Sequence, residues 1–243
     1  MDDKELMRIN KYLAAAGICS RREADVIVGE GRVTINGETA VSGSKVAKGD
    51  TVICDGEEIL LSDERTVVAF YKPAGVTCTA KDEHADLIIE DVFKYPKKLT
   101  YAGRLDKDSE GLLIMTDDGD LIDGMMRAKN HHEKEYIVTV KQEVTADFLK
   151  KMSAGVFIPE LGVKTRRCKV RLIGGKKFGI ILTQGLNRQI RRMCATLGYD
   201  VEKIFRVRVM NITVDGLKPG EYREIGEQEK QELYRGVFEE DGR

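Results

Sequence analysis

The chain has 243 residues, 42% hydrophobic and 33% charged, with no tryptophan and a formal net charge of −1. That suits a soluble globular protein built as one large domain, or as a small domain joined to a medium one. No apolar run is long enough to cross a bilayer, and the opening MDDKELMRINKY lacks a signal-peptide core. Five cysteines without a C-x-x-C pair and three histidines (His84, His131, His132) argue against a disulfide framework or a zinc site, so the expectation is a cytoplasmic protein with reduced thiols.

From the N-terminus, LMRINKYLAAAGICS carries apolar residues at helical spacing, with Gly17 as the helix end. SRREADVIVGEG opens with a capping box, Ser20 to Glu23, and closes at Gly31. Short β pieces follow, RVTING with a turn at Asn36-Gly37 and GDTVICDGEEI with a turn at Asp55-Gly56. Two short helices and a hairpin-rich tail suit docking better than catalysis. This stretch resembles the S4-like RNA-binding domain, through RINKYL at 8–13, SRREA at 20–24 and GRVTING at 31–37. The resemblance implies that Arg8, Lys11, Arg21 and Arg22 meet RNA phosphates. The same charges would also suit a solvated helix face, since Glu23 and Asp25 lie among them. DGEEILLSDERT, 55–66, reads as a strand end and a polar linker, which divides the chain into residues 1–62 and 63–243.

In the second part, TVVAFYKPAG is a strand running into a Pro-Gly turn and ADLIIEDVF a short helix. GLLIMT is a buried strand, followed by a helix through Met126. EKEYIVTVK alternates as a strand, and TADFLKKMSAG is a helix capped at Gly155. RRCKVRLIGGKKFGIILT is a hairpin turning at Gly174-Gly175, and NRQIRRMCATLG a helix with Asn187 as its cap. This mixed order predicts an α+β domain with a largely antiparallel sheet flanked by helices. The tail GEYREIGEQEKQELYRGVFEEDGR is acidic and reads as peripheral, with a disordered EEDGR end.

The near-zero net charge hides an asymmetry. Lys164 to Arg208 carries thirteen Lys/Arg against two acids, whereas Asp82 to Asp123 carries twelve acids against five bases. A compact basic block is the footprint of a polyanion partner, although exposed strands and a solvated helix would show the same charge. Within the acidic stretch, AGRLDKDSEGLLIMTDDG carries Asp106 beside Arg104 and straight into apolar LLIM. Asp106 and Asp108 are two apart, so in an extended segment they point the same way, side by side, and do not face each other across a bond. That disfavours a glycosidase carboxylate pair or two-metal nuclease chemistry. What remains is one special carboxylate held ionised by a cation. Arg188 and Arg191, three apart on one helix face, are the candidates, and a merely structural ion pair would fit the same pattern.

GRLDKDSEGLL resembles the signature of pseudouridine synthases, in the family of ribosomal small-subunit pseudouridine synthase A. KPAGV at 72–76, KEY at 134–136 and NRQIRRM at 187–193 match it in order. The resemblance implies an isomerase that detaches uracil from ribose, rotates it and rejoins it through carbon. It implies that Asp106 is the catalytic aspartate and that Arg191 pairs with it. Whether the aspartate attacks sugar or base, or removes a ribose proton, stays open. Tyr136 would lie against the uracil and serve as base, and Arg104 would fill the space the flipped uridine leaves. Lys72 and Arg188 would bind RNA. LLIM and Ile190 are candidates for the walls of a closed, dry pocket, but they suit ordinary core equally, and core is the better reading for Ile114 and Met115. Neither metal nor cofactor is implied. GLNRQIRRMCATLGYDVEKIFRVRVMNI looks closest to the synthase F branch of that family, which implies a uridine in a 23S rRNA stem-loop as target; a monomer is the separate expectation for its state. A 16S rRNA or tRNA target, or a non-catalytic assembly factor, is the alternative.

Overall fold

The computed structural model describes residues 6–61, 64–79, 87–127 and 131–239. The chain divides into two compact units. One is Met1–Thr66 with Tyr95–Thr100 and Thr116–Gly119, and the other Val67–Lys94, Tyr101–Met115 and Asp120–Arg243. His84, the start of ADLIIEDVF and residues 240–243 of the EEDGR end lie outside the described residues.

In the first unit β1 (Met7–Arg8) leads into α1 (Ile9–Ala15) and α2 (Arg21–Gly29). The strands β2 (Val33–Ile35), β3 (Glu38–Thr39), β4 (Lys45–Val46), β5 (Val52–Cys54) and β6 (Glu57–Glu58) follow. The capping box forms at α2: Glu23 N–H donates to Ser20 Oγ at 3.3 Å, and Ser20 N–H donates to the Glu23 carboxylate at 2.7 Å. Both predicted turns form with positive φ at each central residue, the geometry that matches strand twist. Ile9, Leu13, Ala24, Val28, Val33 and Val52 close a small core beneath them.

The second unit opens with β7 (Val67–Lys72), α3 (Ile89–Val92), β8 (Thr100–Ala102), β9 (Glu110–Thr116), α4 (Gly119–Met126) and β10 (Lys134–Val140). Next come α5 (Ala146–Ser153), the hairpin β11 (Phe157–Ile158) and β12 (Val163–Lys164), β13 (Lys169–Gly174), β14 (Lys177–Leu182) and α6 (Gln189–Thr196). β15 (Val201–Val209), β16 (Ile212–Thr213), β17 (Tyr222–Glu224) and α7 (Glu227–Phe238) complete it. The sheet order is β13-β14-β10-β15-β9-β7-β17, with β16 beside β15 and β8 beside β9. It is largely antiparallel, with β9 and β15 parallel. This is the α+β class read from the sequence. Phe148, Met152, Ile190 and Met193 of α5 and α6 pack on Val138, Val140, Phe178 and Ile180. Leu121 and Met125 of α4 join Leu233 and Val237 of α7 over Ala69, Leu112 and Ile114.

Three local readings change. The hairpin turns at Gly175-Lys176, because Gly174 still pairs with Lys177. Asn187 is not the cap of α6: that position is Arg188, in a left-handed conformation at φ 48°. The Asn187 carbonyl and carboxamide oxygens instead accept from Arg192 at 3.2 Å. The acidic tail is not peripheral. Tyr222–Glu224 is an edge strand on β7, and α7 buries Leu233 and Val237 fully or nearly so. Each such side chain contributes roughly 1.5–3 kcal/mol, so the tail belongs to the core while its acids stay in water.

Candidate active site

The loop between β8 and β9 carries Arg104, Asp106 and Asp108. It is folded, not extended: Ser109 N–H donates to the Asp106 carbonyl at 3.0 Å, closing a turn over Lys107 and Asp108. The turn, rather than strand alternation, therefore sets where the two carboxylates point. Arg188 reaches both, with guanidinium nitrogens 3.3 Å from each Asp108 oxygen and 3.8 Å from Asp106 Oδ2. The left-handed backbone at Arg188 places its side chain off the start of α6, toward this loop.

The expected Arg191–Asp106 pair is replaced. Arg191 Nη2 lies 3.0 Å from Asp108 Oδ2 and donates to the Asp108 carbonyl at 3.2 Å, while Nη1 donates to the Val201 carbonyl at 3.3 Å. Burial pushes the Asp108 carboxyl up, but Arg188 and Arg191 outweigh it and hold its pKa below the usual range. Asp108 is thus the clamped anion. Asp106, one-third exposed, is the freer one.

Lys72 is also reassigned. Its side chain is fully buried, with Nζ donating to the carbonyls of Pro73 and Ser109 at 2.8 Å and Lys107 at 3.5 Å. It cannot meet RNA phosphates. It ties the end of β7 to both flanks of Asp108, and burial pulls its pKa down to about 8.

A cavity of about 550 Å³ opens beside this loop, lined by Arg104 and Asp106, by Tyr136 of β10 and by Ile190 of α6. Arg188 lines it as well, and so do Lys134, which the KEY motif contains but whose role the motif leaves open, and Arg206, which no sequence signal singles out. Of the two readings of LLIM, core is the one that holds: Ile114 and Met115, and Leu112 and Leu113 with them, are buried in the sheet and do not line the cavity. Ile190 does.

Two facts of strand geometry set the charges here. Side chains alternate along β10, so Lys134 and Tyr136 share the cavity face while Glu133 and Glu135 share the other. Opposite them, the register of β15 slips by one between Glu135↔Arg208 and Tyr136↔Arg206, a bulge at Val207. Arg206 and Arg208 are two apart and would otherwise share a face. The bulge aims Arg206 into the cavity wall and leaves Arg208 on Glu133 and Glu135, at 2.9 and 3.1 Å. Arg206 is 2% exposed and crosses β9, with Nε donating to the Leu112 carbonyl at 2.7 Å and Nη1 to the Arg104 carbonyl at 3.3 Å.

In the N-terminal unit Arg8, Arg21 and Arg22 are exposed and Lys11 is half-buried. In the basic block, Lys169 and Arg171 of β13 are engaged with Glu133 and Glu135. Lys164, Arg167, Lys176 and Lys177 remain exposed.

Residues 66–196 match the RNA pseudouridylate synthase family, and residues 7–52 match the S4 domain. The chain is 44% identical over 231 residues to the dual-specificity RNA pseudouridine synthase RluF of Escherichia coli (strain K12), covering 94% of this chain and 79% of that protein. It is 32% identical over 232 residues to the ribosomal large subunit pseudouridine synthase B of Bacillus subtilis (strain 168), covering 93% and 95%. A crystal structure of a pseudouridylate synthase superposes with a TM-score of 0.68 at 28% identity, covering 93% of this chain and 99% of that one. The protein therefore belongs to the RNA pseudouridylate synthase family, as an RNA pseudouridine synthase carrying an N-terminal S4 domain.

Proposed function

We propose that Asp106 is the carboxylate that reacts with the target nucleotide. Tyr136 lies against the uracil and takes the proton from the carbon that joins ribose. The observation that carries this reading is convergence: Arg104, Asp106, Tyr136 and Arg188 line one cavity of about 550 Å³. That volume suits a flipped nucleoside. Taking a uridine out of a stem costs a few kcal/mol. The exposed Arg104 guanidinium at the cavity's edge suits the space the base leaves, where it can stack and donate hydrogen bonds. Arg191 acts on Asp106 through the loop, by clamping Asp108. Arg8, Lys11, Arg21 and Arg22, with the exposed bases at 164–177, contact RNA phosphates and position the substrate without reading its sequence.

The boundary between the RNA-binding and catalytic domains falls at residues 62/63. The substrate is a uridine in a stem-loop of 23S rRNA, modified by a monomer in the cytoplasm. The large-subunit name of the relative from Bacillus subtilis supports that RNA, and the dual specificity in the RluF name supports a second one, in 16S rRNA or a tRNA. Tritium release from 23S, 16S and tRNA transcripts labelled at carbon 5 of uracil tests both statements. Wild type should release tritium from the 23S transcript. Asp106→Ala should lower the rate by about 10³-fold or more, as expected when a reacting group is removed, with RNA affinity unchanged. An active Asp106→Ala would remove the aspartate from the chemistry.

A further inference from the structure

The cavity face of the β10–β15 pair holds positive charge that no carboxylate among the described residues pairs with. Arg188 and Arg191 are committed to Asp108, and Lys72 to three carbonyls. Lys134 has no hydrogen-bond or ion-pair partner among the described residues, and the charged group acting on it is Arg206, a like charge. Arg206 in turn uses Nε and Nη1 on carbonyls and leaves Nη2 buried without a partner. Burying an unpaired cation is costly, and a methionine would relieve that cost. Two such groups side by side, in the wall of the cavity that holds Asp106 and Tyr136, indicate a ligand that brings electron density to them.

We propose that Lys134, backed by Arg206, receives the carbonyl oxygens of uracil and stabilises the negative charge that develops on them during base transfer. This rests on the reading of the cavity as the uracil pocket and assigns the charge chemistry within it. When the N1–C1′ bond breaks, its electron pair stays with the base and spreads over N1, O2 and O4. The C5–C1′ bond then forms, C5 gives its proton to Tyr136, and N1 takes one up, so the product is an isomer and no co-reactant is needed. Attack of a carboxylate on C6 of the ring would load O4 in the same way. A neutral carbonyl gains little from the ammonium and a developing anion gains much, so the effect falls on the chemical step rather than on RNA binding. Burial, with Arg206 adding to it, draws the Lys134 pKa down to about 8, which still leaves most of it charged at neutral pH and strengthens its response to an anion.

The test is single-turnover tritium release by Lys134→Met and Lys134→Arg on the RNA that wild type modifies, beside Asp106→Ala. Lys134→Met should slow the step by about 30-fold or more, with RNA Kd within about twofold of wild type, and Lys134→Arg should recover most of the loss. A second substrate carries 5-fluorouridine at the target, and its rearrangement is followed by nucleoside mass spectrometry. Fluorine withdraws electrons and makes the base a better leaving group, so the Lys134→Met defect should shrink to about fivefold or less. Three results would each overturn the proposal: a Lys134→Met rate close to wild type on natural uridine, an equal defect on both substrates, or a loss of rate matched by a loss of RNA affinity. If Asp106→Ala stayed active in the same assay, the reading of the pocket itself would fail, which is a separate outcome.

Discussion

The two faces of the β10–β15 pair carry similar residues to opposite ends. On one, Glu133 and Glu135 meet Arg208, Lys169 and Arg171 in a network at 2.9–3.2 Å that water partly screens. On the other, Lys134 and Arg206 stand beside Tyr136 in the cavity wall without a carboxylate between them. The first arrangement satisfies itself and adds modestly to stability. The second is unsatisfied until a substrate arrives. Charge that a fold leaves unbalanced in a cavity marks chemistry, and charge balanced on a surface marks scaffolding. The device that separates the two is one extra residue, Val207, which turns Arg206 and Arg208 to opposite sides.

The heaviest blow to this separation falls at Gly111. It pairs with Arg206 at φ 111°, and a Cβ there would meet the Arg206 backbone nitrogen and carbonyl oxygen. Gly111→Val should push β9 off the bulge and destabilise the protein by about 4 kcal/mol or more. Its thermal melt should therefore fall by about 10 °C or lose cooperativity. A wild-type melt would show that the bulge does not depend on that close approach.

A smaller effect is expected from pH. Lys134 has a folded pKa of about 8 against an ordinary 10.5, so its charge opposes folding below about pH 8. Between pH 8 and 10.5 the unfolded chain holds a proton that the folded one lacks, so stability rises with pH. The Cys168 and Cys194 thiols, raised by burial to about 11 and about 12, pull the other way, so the readout is the difference between variants. In urea titrations Lys134→Met should exceed wild type in stability near pH 7, by on the order of 2 kcal/mol, and the two should converge toward pH 10.5. A constant difference would mean that the fold already balances Lys134.

The smallest effect belongs to the outer face. Glu135→Gln should cost about 1 kcal/mol at most, since Glu133 and the Met210 carbonyl still hold Arg208, and it should leave tritium release unchanged. A large loss of rate would erase the distinction between scaffold and site.

Elements with local causes were legible from residues alone. The Ser20 capping box, the Asn36-Gly37 and Asp55-Gly56 turns and the alternation of EKEYIVTVK each depend on neighbours a few positions away. Asp106 and Tyr136 were found from their motifs, and the structure places both on one cavity. The acidic tail misled because its charges lie on the solvent side of α7, while Leu233 and Val237 matter only once β7, β9 and α4 are in place. Lys72 misled because burial is not a property of its own segment.

By itself, then, the sequence determined the α+β order of elements, the turns and capping box of the N-terminal unit, the family, and which carboxylate and tyrosine to watch. Tertiary structure alone decided that Arg191 holds Asp108, that Lys72 is a buried clamp, and that Lys134 and Arg206 meet in one wall. The reason is range. Caps and turns are settled within a few residues of chain, whereas an ion pair 83 residues long or a strand register depends on how distant segments are brought together.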